Sequence, residues 1–469
     1  MQLQGQQVRP VVVRQRSQRR PKPRHGLPPP TLGQLYAGRD NGIGAIRLGL
    51  AVVVVLTHGT SLGFGWEDLG KSLFRGQTNT GTLAVFSFFV LSGLLITRSA
   101  ARTSPGRFVW HRMLRILPGL WVCLLVTAFA VAPLVALREW GNLDGFWSGP
   151  KGPVQYVTGN WFAGVRQYGI HDLLGASTPW GRQTGSSVFD GALWSLVYEL
   201  FCYLVAGLLA MTAVLRRRRW LVVGLAVALY AVVVVDQIQG RPLLGPPTPH
   251  YGSVHLPLLG AVYFHWIIYL GLLFLGGAVL ELYRDRVVIH DGAGLACLTA
   301  LAGSLLFGGF FVIGFPALVY VLAWAAVRMP PALRRIGRRN DYSYGVYIYG
   351  FVGQQVFASL GWSRWGYLPY IAMSLAAAFA AAALSWHLVE RRAMALKDWT
   401  PRRFRAPDPV PPQLPPMRAL PAGGRHAGVP SGVSGGVYGG GSYRGGGPAL
   451  VGGRLLEEGG AMPMAGRTG

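Results

Sequence analysis

Charged side chains are scarce: only 13% of a 469-residue chain is Asp, Glu, Lys or Arg, too few to cover the surface of a soluble protein of this length. Acidic residues number 18, and lysine is nearly absent, with 4 against 40 arginines. Cysteine is limited to Cys123, Cys202 and Cys297, each inside an apolar run and none at metal-ligand spacing, so they read as packing residues and no metal site is expected. The amphipathic periodicity of soluble helices or strands is missing too. Apolar residues, 51% of the chain, instead come in runs of roughly 17 to 25, the length that crosses a hydrocarbon layer about 30 Å thick.

The chain therefore reads as an all-α, polytopic membrane helix bundle. Ten candidate helices fall near 43–62, 81–97, 113–137, 191–215, 220–236, 259–280, 287–307, 310–327, 341–360 and 367–389. No cleavable signal peptide is recognisable, and the first run reads as a retained helix. Placing both termini in the cytoplasm puts 35 basic residues on the inner side and 8 on the outer, or 16 against 8 in the short loops alone. Most of the net charge of +26 is thus topology rather than a nucleic-acid footprint, and membrane lipids are the expected polyanionic neighbour. Three regions follow: a basic, proline-rich tail over 1–40, a membrane domain over 41–397, and a Gly/Pro-rich tail over 398–469. The longest outward segment, about 138–190, has the composition of a lid over the helices rather than of a separate domain.

Ionisable residues within spanning helices are costly and mark candidate sites. Arg47 and His58 stand 11 positions apart on the first helix, about 20° apart around its axis and roughly 16 Å along it, hence on one face. A histidine can accept a hydroxyl proton near neutrality, and an arginine can hold a phosphate or an anionic oxygen; a snorkelling arginine and an interfacial histidine fit the same pattern. Glu199 shares a face with Ser195 on the fourth helix, next to Trp194. It can orient His58, pair with Arg47 or bridge to another helix. Ser92 and Gly93 form a small pair amid bulky aromatics, suited to close helix approach as much as to chemistry. Arg112 and Arg115 cluster where the third helix enters the membrane. The ninth helix, with Ser343, Tyr347, Tyr349, Gln354 and Gln355, is polar enough to need a protein interior or a wet cavity.

These pieces resemble, in order, the acyltransferase-3 family of multi-pass membrane O-acyltransferases. Arg47 and His58 are similar to its Arg-x10-His pattern; Phe88-Phe89-Val90-Leu91-Ser92-Gly93 to its Phe-Phe-x-x-Ser-Gly; and Arg112 to Pro118 to its Arg-x-x-Arg-x-x-Pro. Trp194-Ser195-Leu196 with Glu199 resembles Trp-Ser-Leu-x-x-Glu, and Ser343-Tyr344-Gly345 with Tyr347-Ile348 and Glu390-Arg391-Arg392 resemble the late helices. The likeness runs from about Arg39 to Lys397. Tyr349 stands where many members carry a second histidine, Cys202 replaces a common phenylalanine, and no Gly-Asp-Ser type hydrolase module follows the last helix.

The resemblance implies an enzyme of the cell membrane that moves an acyl group, acetyl in the first instance, from acyl-CoA to a hydroxyl of a sugar or of a surface or lipid-linked glycan. His58 would be general base or acyl carrier, which the sequence leaves open. Arg47 would stabilise an oxyanion or the CoA pyrophosphate, and Glu199 would position the histidine or a neighbouring helix. Arg112 and Arg115 would meet the donor phosphates, with Ser92, Trp194, Ser195, Tyr347 and Tyr349 as further substrate-binding residues. Acyl-CoA enters only as a substrate, and no permanently bound cofactor, metal or nucleic acid is expected. A transporter or glycan flippase would also carry charges in its helices, but neither repeat halves nor paired broken helices are evident.

Overall fold

The computed structural model describes residues 29–399 apart from 37, 39 and 241–251. The tail assignments for 1–28 and 400–469 lie outside the described residues. Apolar runs without internal Gly/Pro clusters become α1 (Ile43–Phe64), α2 (Thr80–Arg102), α3 (Pro105–Trp140), α4 (Ala192–Met211), α5 (Trp220–Gln239), α6 (Phe264–Leu282), α7 (Asp291–Phe307), α8 (Phe310–Arg328), α9 (Ser343–Ser359) and α10 (Tyr367–Asp398). Eight of these are long and apolar enough to cross a membrane. The other two, α7 and α9, have 17 residues each. The sequence reading of ten spans is therefore matched by eight helices of spanning length among the described residues.

The boundaries differ where the chain departs from a regular α-helix. α3 runs 36 residues because a π segment at Thr127–Val131 joins its halves without a break, and α10 carries a second π segment at Trp386–Glu390. The sixth run, read from 259, starts helically only at Phe264. The residues before it pair as a small antiparallel hairpin, β1 (Ser253–Leu256) and β2 (Gly260–Tyr263). Residues 29–36, grouped by composition with the basic tail, pack on the bundle. Thr31 and Gln34 form a capping box, Leu32 N donates to Val287 O at 2.7 Å, and Tyr36 is buried beneath the Arg98 guanidinium.

Interhelical contact in an apolar solvent depends on close packing and hydrogen bonds rather than on hydrophobic exclusion. α2 and α6 approach backbone to backbone: a Cβ on Gly93 would lie 1.9 Å from Phe274 O, and one on Gly277 would lie 2.0 Å from Val90 O. α9 is buried almost throughout, and its polarity is used there. Gln354 Nε2 donates to Val55 O on α1 at 2.8 Å, and Gln355 Nε2 donates to Val188 O at 2.8 Å. α5, by contrast, is apolar along most of its length and has few buried residues, as a helix at the lipid-facing edge should be.

The arginine-rich loops gather at one end of the bundle, where Arg334 approaches Asp40, Arg98 pairs with Glu281 and Arg107 pairs with Asp398. The opposite end is covered by the segment between α3 and α4. Its residues Phe146, Tyr156, Leu173, Leu174 and Phe189 are buried. Asn160 Oδ1 accepts from Arg166 N and Gln167 N, and the Glu139 carboxylate accepts from Leu174 N and Ser177 Oγ. This segment is a folded cap, ordered internally by Asn160 and tied to the helices through Glu139 of α3 and Gln355 of α9.

Replacing Gly277 with Leu should disrupt the α2–α6 contact, because a carbonyl on the partner backbone cannot move aside; overpacking typically costs about 1–3 kcal/mol, and a backbone clash this close falls at the upper end. Gly49→Leu, whose Cβ meets nothing within 4 Å, should be neutral. Size-exclusion profiles of fluorescent fusions in detergent would check this, and a wild-type profile for Gly277→Leu would contradict the packing.

Candidate active site

Arg47 enters the interior one turn into α1 and needs a counter-ion. Its Nη1 lies 2.9 Å from Asp341 Oδ2, and Arg115 Nη2 on α3 lies 2.5 Å from the same oxygen. The other oxygen, Oδ1, accepts from Ser343 Oγ at 2.5 Å and Ser343 N at 3.2 Å, at the start of α9. Burial opposes ionisation of Asp341, but the two guanidinium groups and Ser343 outweigh it and hold the carboxyl below the usual carboxylate range. Asp341 is therefore a fixed anion joining three helices. Arg115 also lies 3.7 Å from Glu390 Oε2 at the end of the α10 π segment, where Glu390 Oε1 accepts from Ser385 Oγ at 3.0 Å.

Beyond this cluster lies a cavity of about 60 Å³ whose polar walls are Arg47, Ser92, Ser195, Glu199, Ser343 and Tyr347, with Phe88 and Phe89 among its apolar ones. Glu199 Oε1 accepts from Ser92 Oγ at 3.2 Å and from Tyr203 OH at 2.5 Å, and the Arg112 guanidinium sits 5.8 Å from the centre of the Tyr203 ring. Tyr347 donates to Ala192 O at 2.8 Å, so the 2.7 Å contact between Ser195 Oγ and Tyr347 OH has Ser195 as donor. Hydroxyl groups thereby pin the turn that begins α4 against α9. The Ser-Gly pair divides its work: Gly93 permits the α2–α6 approach, while Ser92 faces the cavity.

Five residues singled out in the sequence thus meet at one cavity: Arg47, Ser92, Ser195, Glu199 and Tyr347. His58 lies farther along α1, its ring edge-on to Phe351 at 5.1 Å. Phe351 is one turn beyond Tyr347 on α9, so the histidine stands just past the cavity's inner-to-outer course. No hydrogen bond to its imidazole occurs among the described residues. Of the three roles open to Glu199, the structure has it bridging to α2 through Ser92.

Trp194 points elsewhere. It packs 4.6 Å from Trp266 and lines a separate cavity of about 160 Å³ with Tyr168, Tyr198 and Tyr263. Tyr349 OH donates to Ser385 Oγ at 3.4 Å on the α10 side of α9. Arg115 is committed to carboxylates, and Arg112 stacks against Tyr203 and Phe108. Asp341, Ser343, Tyr203 and Glu390 were not assigned site roles from the sequence. Two signals point to them: Tyr203 follows Glu199 by four residues, and two arginines at the helix ends demand an acidic partner.

A buried, charge-lined cavity among apolar helices defines an integral membrane protein with an internal polar site. The family model for the acyltransferase domain of the acyltransferase-3 family matches residues 40–389, and the chain belongs to that family. It is similar to an O-acetyl transferase of Shigella phage Sf6, 26% identical over 378 residues that cover 76% of this chain and 96% of the relative. It is also similar to nodulation protein 10 of Rhizobium leguminosarum bv. viciae, 27% identical over 384 residues that cover 77% and 95%. No solved structure matches. The protein is an acyltransferase that transfers groups other than aminoacyl groups.

Asp341→Ala would leave Arg47 and Arg115 facing each other without their shared anion, a loss of about 3–5 kcal/mol for a buried pair. Lower thermal stability in detergent and loss of acyl transfer are the expected outcomes. An Asp341→Ala protein that melts like wild type would show that the bridge is dispensable.

Proposed function

We propose that the protein moves an acetyl group from acetyl-CoA to a hydroxyl of a sugar in a surface or lipid-linked glycan, in the cell membrane, with the arginine-rich end facing the cytoplasm. The observation that carries this reading is the charge-lined cavity itself: Arg47, Ser92, Glu199 and Tyr347 line it, and Phe351, one turn past Tyr347 on α9, packs edge-on against His58. A donor bearing several phosphates suits the basic end.

In the direct form of the reaction, His58 takes the proton of the acceptor hydroxyl as its oxygen attacks the thioester carbonyl; the new C–O bond forms, the C–S bond breaks, and CoA leaves as a thiolate that accepts a proton. The same imidazole could instead carry the acyl group between donor and acceptor. The separation of Arg47 from His58, roughly 16 Å of helix rise, limits the arginine's part. Groups acting on one reacting carbon must lie within hydrogen-bond reach of it, so Arg47 lies on the donor's side of the passage and does not serve the oxyanion. Ser92 and Glu199 shape the passage between the two.

A carbohydrate acceptor fits the aromatic cavity at the capped end. Trp194, Trp266, Tyr198, Tyr263 and Tyr168 offer flat apolar faces with polar tips, which complement the apolar face and hydroxyl rim of a pyranose ring. The name of the phage relative, an O-acetyl transferase, supports acetyl as the group moved.

Membranes containing the wild-type protein should transfer label from radiolabelled acetyl-CoA into a glycolipid or polysaccharide fraction. His58→Ala should lower the rate by about 100-fold or more, the usual contribution of a general base, at unchanged protein abundance. Retained transfer in the variant would end the histidine mechanism.

A further inference from the structure

The loop between α8 and α9 carries Arg334, Arg335, Arg338 and Arg339 within six residues, and it borders two clefts at the basic end, about 630 and 440 Å³. Both are of the size that holds a nucleotide, whereas the central cavity is not. The loop is not a loose strand of charge. Gly337 adopts a left-handed conformation (φ +71°) and lies directly on Gly44 of α1; a Cβ on Gly44 would stand 2.4 Å from Ile336 O, and one on Gly337 would stand 2.8 Å from Gly44 Cα. Two glycines therefore clamp this loop onto the first turn of α1, one turn before Arg47.

Its arginines are not equivalent. Arg334 is used structurally, donating to Val327 O and Met329 O at the end of α8. Arg338 reaches only the edge of Asp40, at 4.0 Å, and half of its side chain is exposed. Arg335 and Arg339 have no carboxylate partner among the described residues, and both line a cleft. The second cleft also touches Arg47, which in turn lines the central cavity. A continuous wall thus leads from uncommitted guanidinium groups at the surface to the polar interior. Arg115, assigned the expected phosphate role from the sequence, is occupied by Asp341 and Glu390, while Arg112 packs beside Tyr203 with its Nε buried and without a hydrogen-bond partner among the described residues.

We propose that Arg338 and Arg339, which line both clefts, grip the phosphates of the nucleotide part of the acyl-CoA donor, with Arg335 beside them in the larger cleft, while the pantetheine arm passes Arg47 from the second cleft into the central cavity. This rests on the acyl-CoA reading above and assigns the subsite that reading lacks. Guanidinium groups suit it because they offer several fixed N–H donors to phosphate oxygens, and the exposed loop lets the donor arrive from water.

The test uses the full-length protein in nanodiscs and two donors, acetyl-CoA and S-acetyl-N-acetylcysteamine, which has the thioester but no nucleotide. The Arg338→Gln, Arg339→Gln double variant should raise the KM for acetyl-CoA at least about tenfold, the effect of losing a charge-assisted hydrogen bond. It should leave kcat and the KM of the short donor unchanged, and competitive inhibition by adenosine 3′,5′-bisphosphate should weaken by the same factor. Arg286→Gln, an exposed charge at the same end of the bundle, should behave as wild type in every arm. Unchanged kinetics with acetyl-CoA in the double variant would overturn the proposal and leave the donor reading standing, as would an equal rise in KM for both donors. An effect seen in discs containing anionic phospholipid but absent in phosphatidylcholine discs would assign these arginines to lipid head groups and overturn it too. Wild-type protein that transfers from neither donor would bring down the donor reading and this proposal together.

Discussion

Two guanidinium groups enter the bundle from different helices, and in hydrocarbon each would be costly without a counter-ion. Asp341 supplies it for both, with one oxygen for Arg47 and Arg115 and the other for the first residue of α9. The arrangement fixes α1, α3 and α9 at one depth, and the central cavity opens immediately above it. Tyr347 depends on that alignment, because it reaches the cavity from α9, whose position relative to α1 is set there. The cluster is also the point where the basic end of the molecule becomes its interior.

The π segment of α10 contributes to the same place. A π turn widens the helix by one residue and redirects the side chains after it. Glu390 ends that segment and faces Arg115, with Ser385 holding its second oxygen. The α3 π segment lies at the other end of its helix, under the cap, and lets a 36-residue helix continue from the basic loops into the segment that covers the far side. At these two positions irregular helical geometry aims a charged group or carries a helix from one environment to another.

Much of this was legible in the sequence because hydrocarbon imposes simple rules. Long apolar runs gave the helices, and arginine-bearing loops do gather at one end. Polar residues within α1, α2, α4 and α9 converge on one cavity, as the cost of burying them requires. What the sequence did not reveal was partnership. Nothing in the spacing of Glu199 told whether it would meet His58, Arg47 or Ser92, since the choice depends on the rotation of α4 against α2. Trp194 and Ser195 are adjacent yet serve different cavities, because neighbours on a helix point about 100° apart. A lid over the helices was expected from composition, but its internal order and the β1–β2 hairpin were not: the first rests on hydrogen bonds around Asn160 and Glu139 and the second on a backbone ladder, and neither leaves a periodic trace.

The polarity of α9 has a consequence for how the protein is made. With 17 residues, two adjacent glutamines and hydroxyl groups along its length, α9 gains little by partitioning alone from the translocation channel into lipid. Its glutamines find their acceptors on α1 and on the cap, both synthesised earlier. Membrane insertion of the last third of the chain is therefore a templated event: the early helices must already stand in the bilayer as a surface that receives α9. The segment at the centre of the finished enzyme is the one least able to enter the membrane by itself.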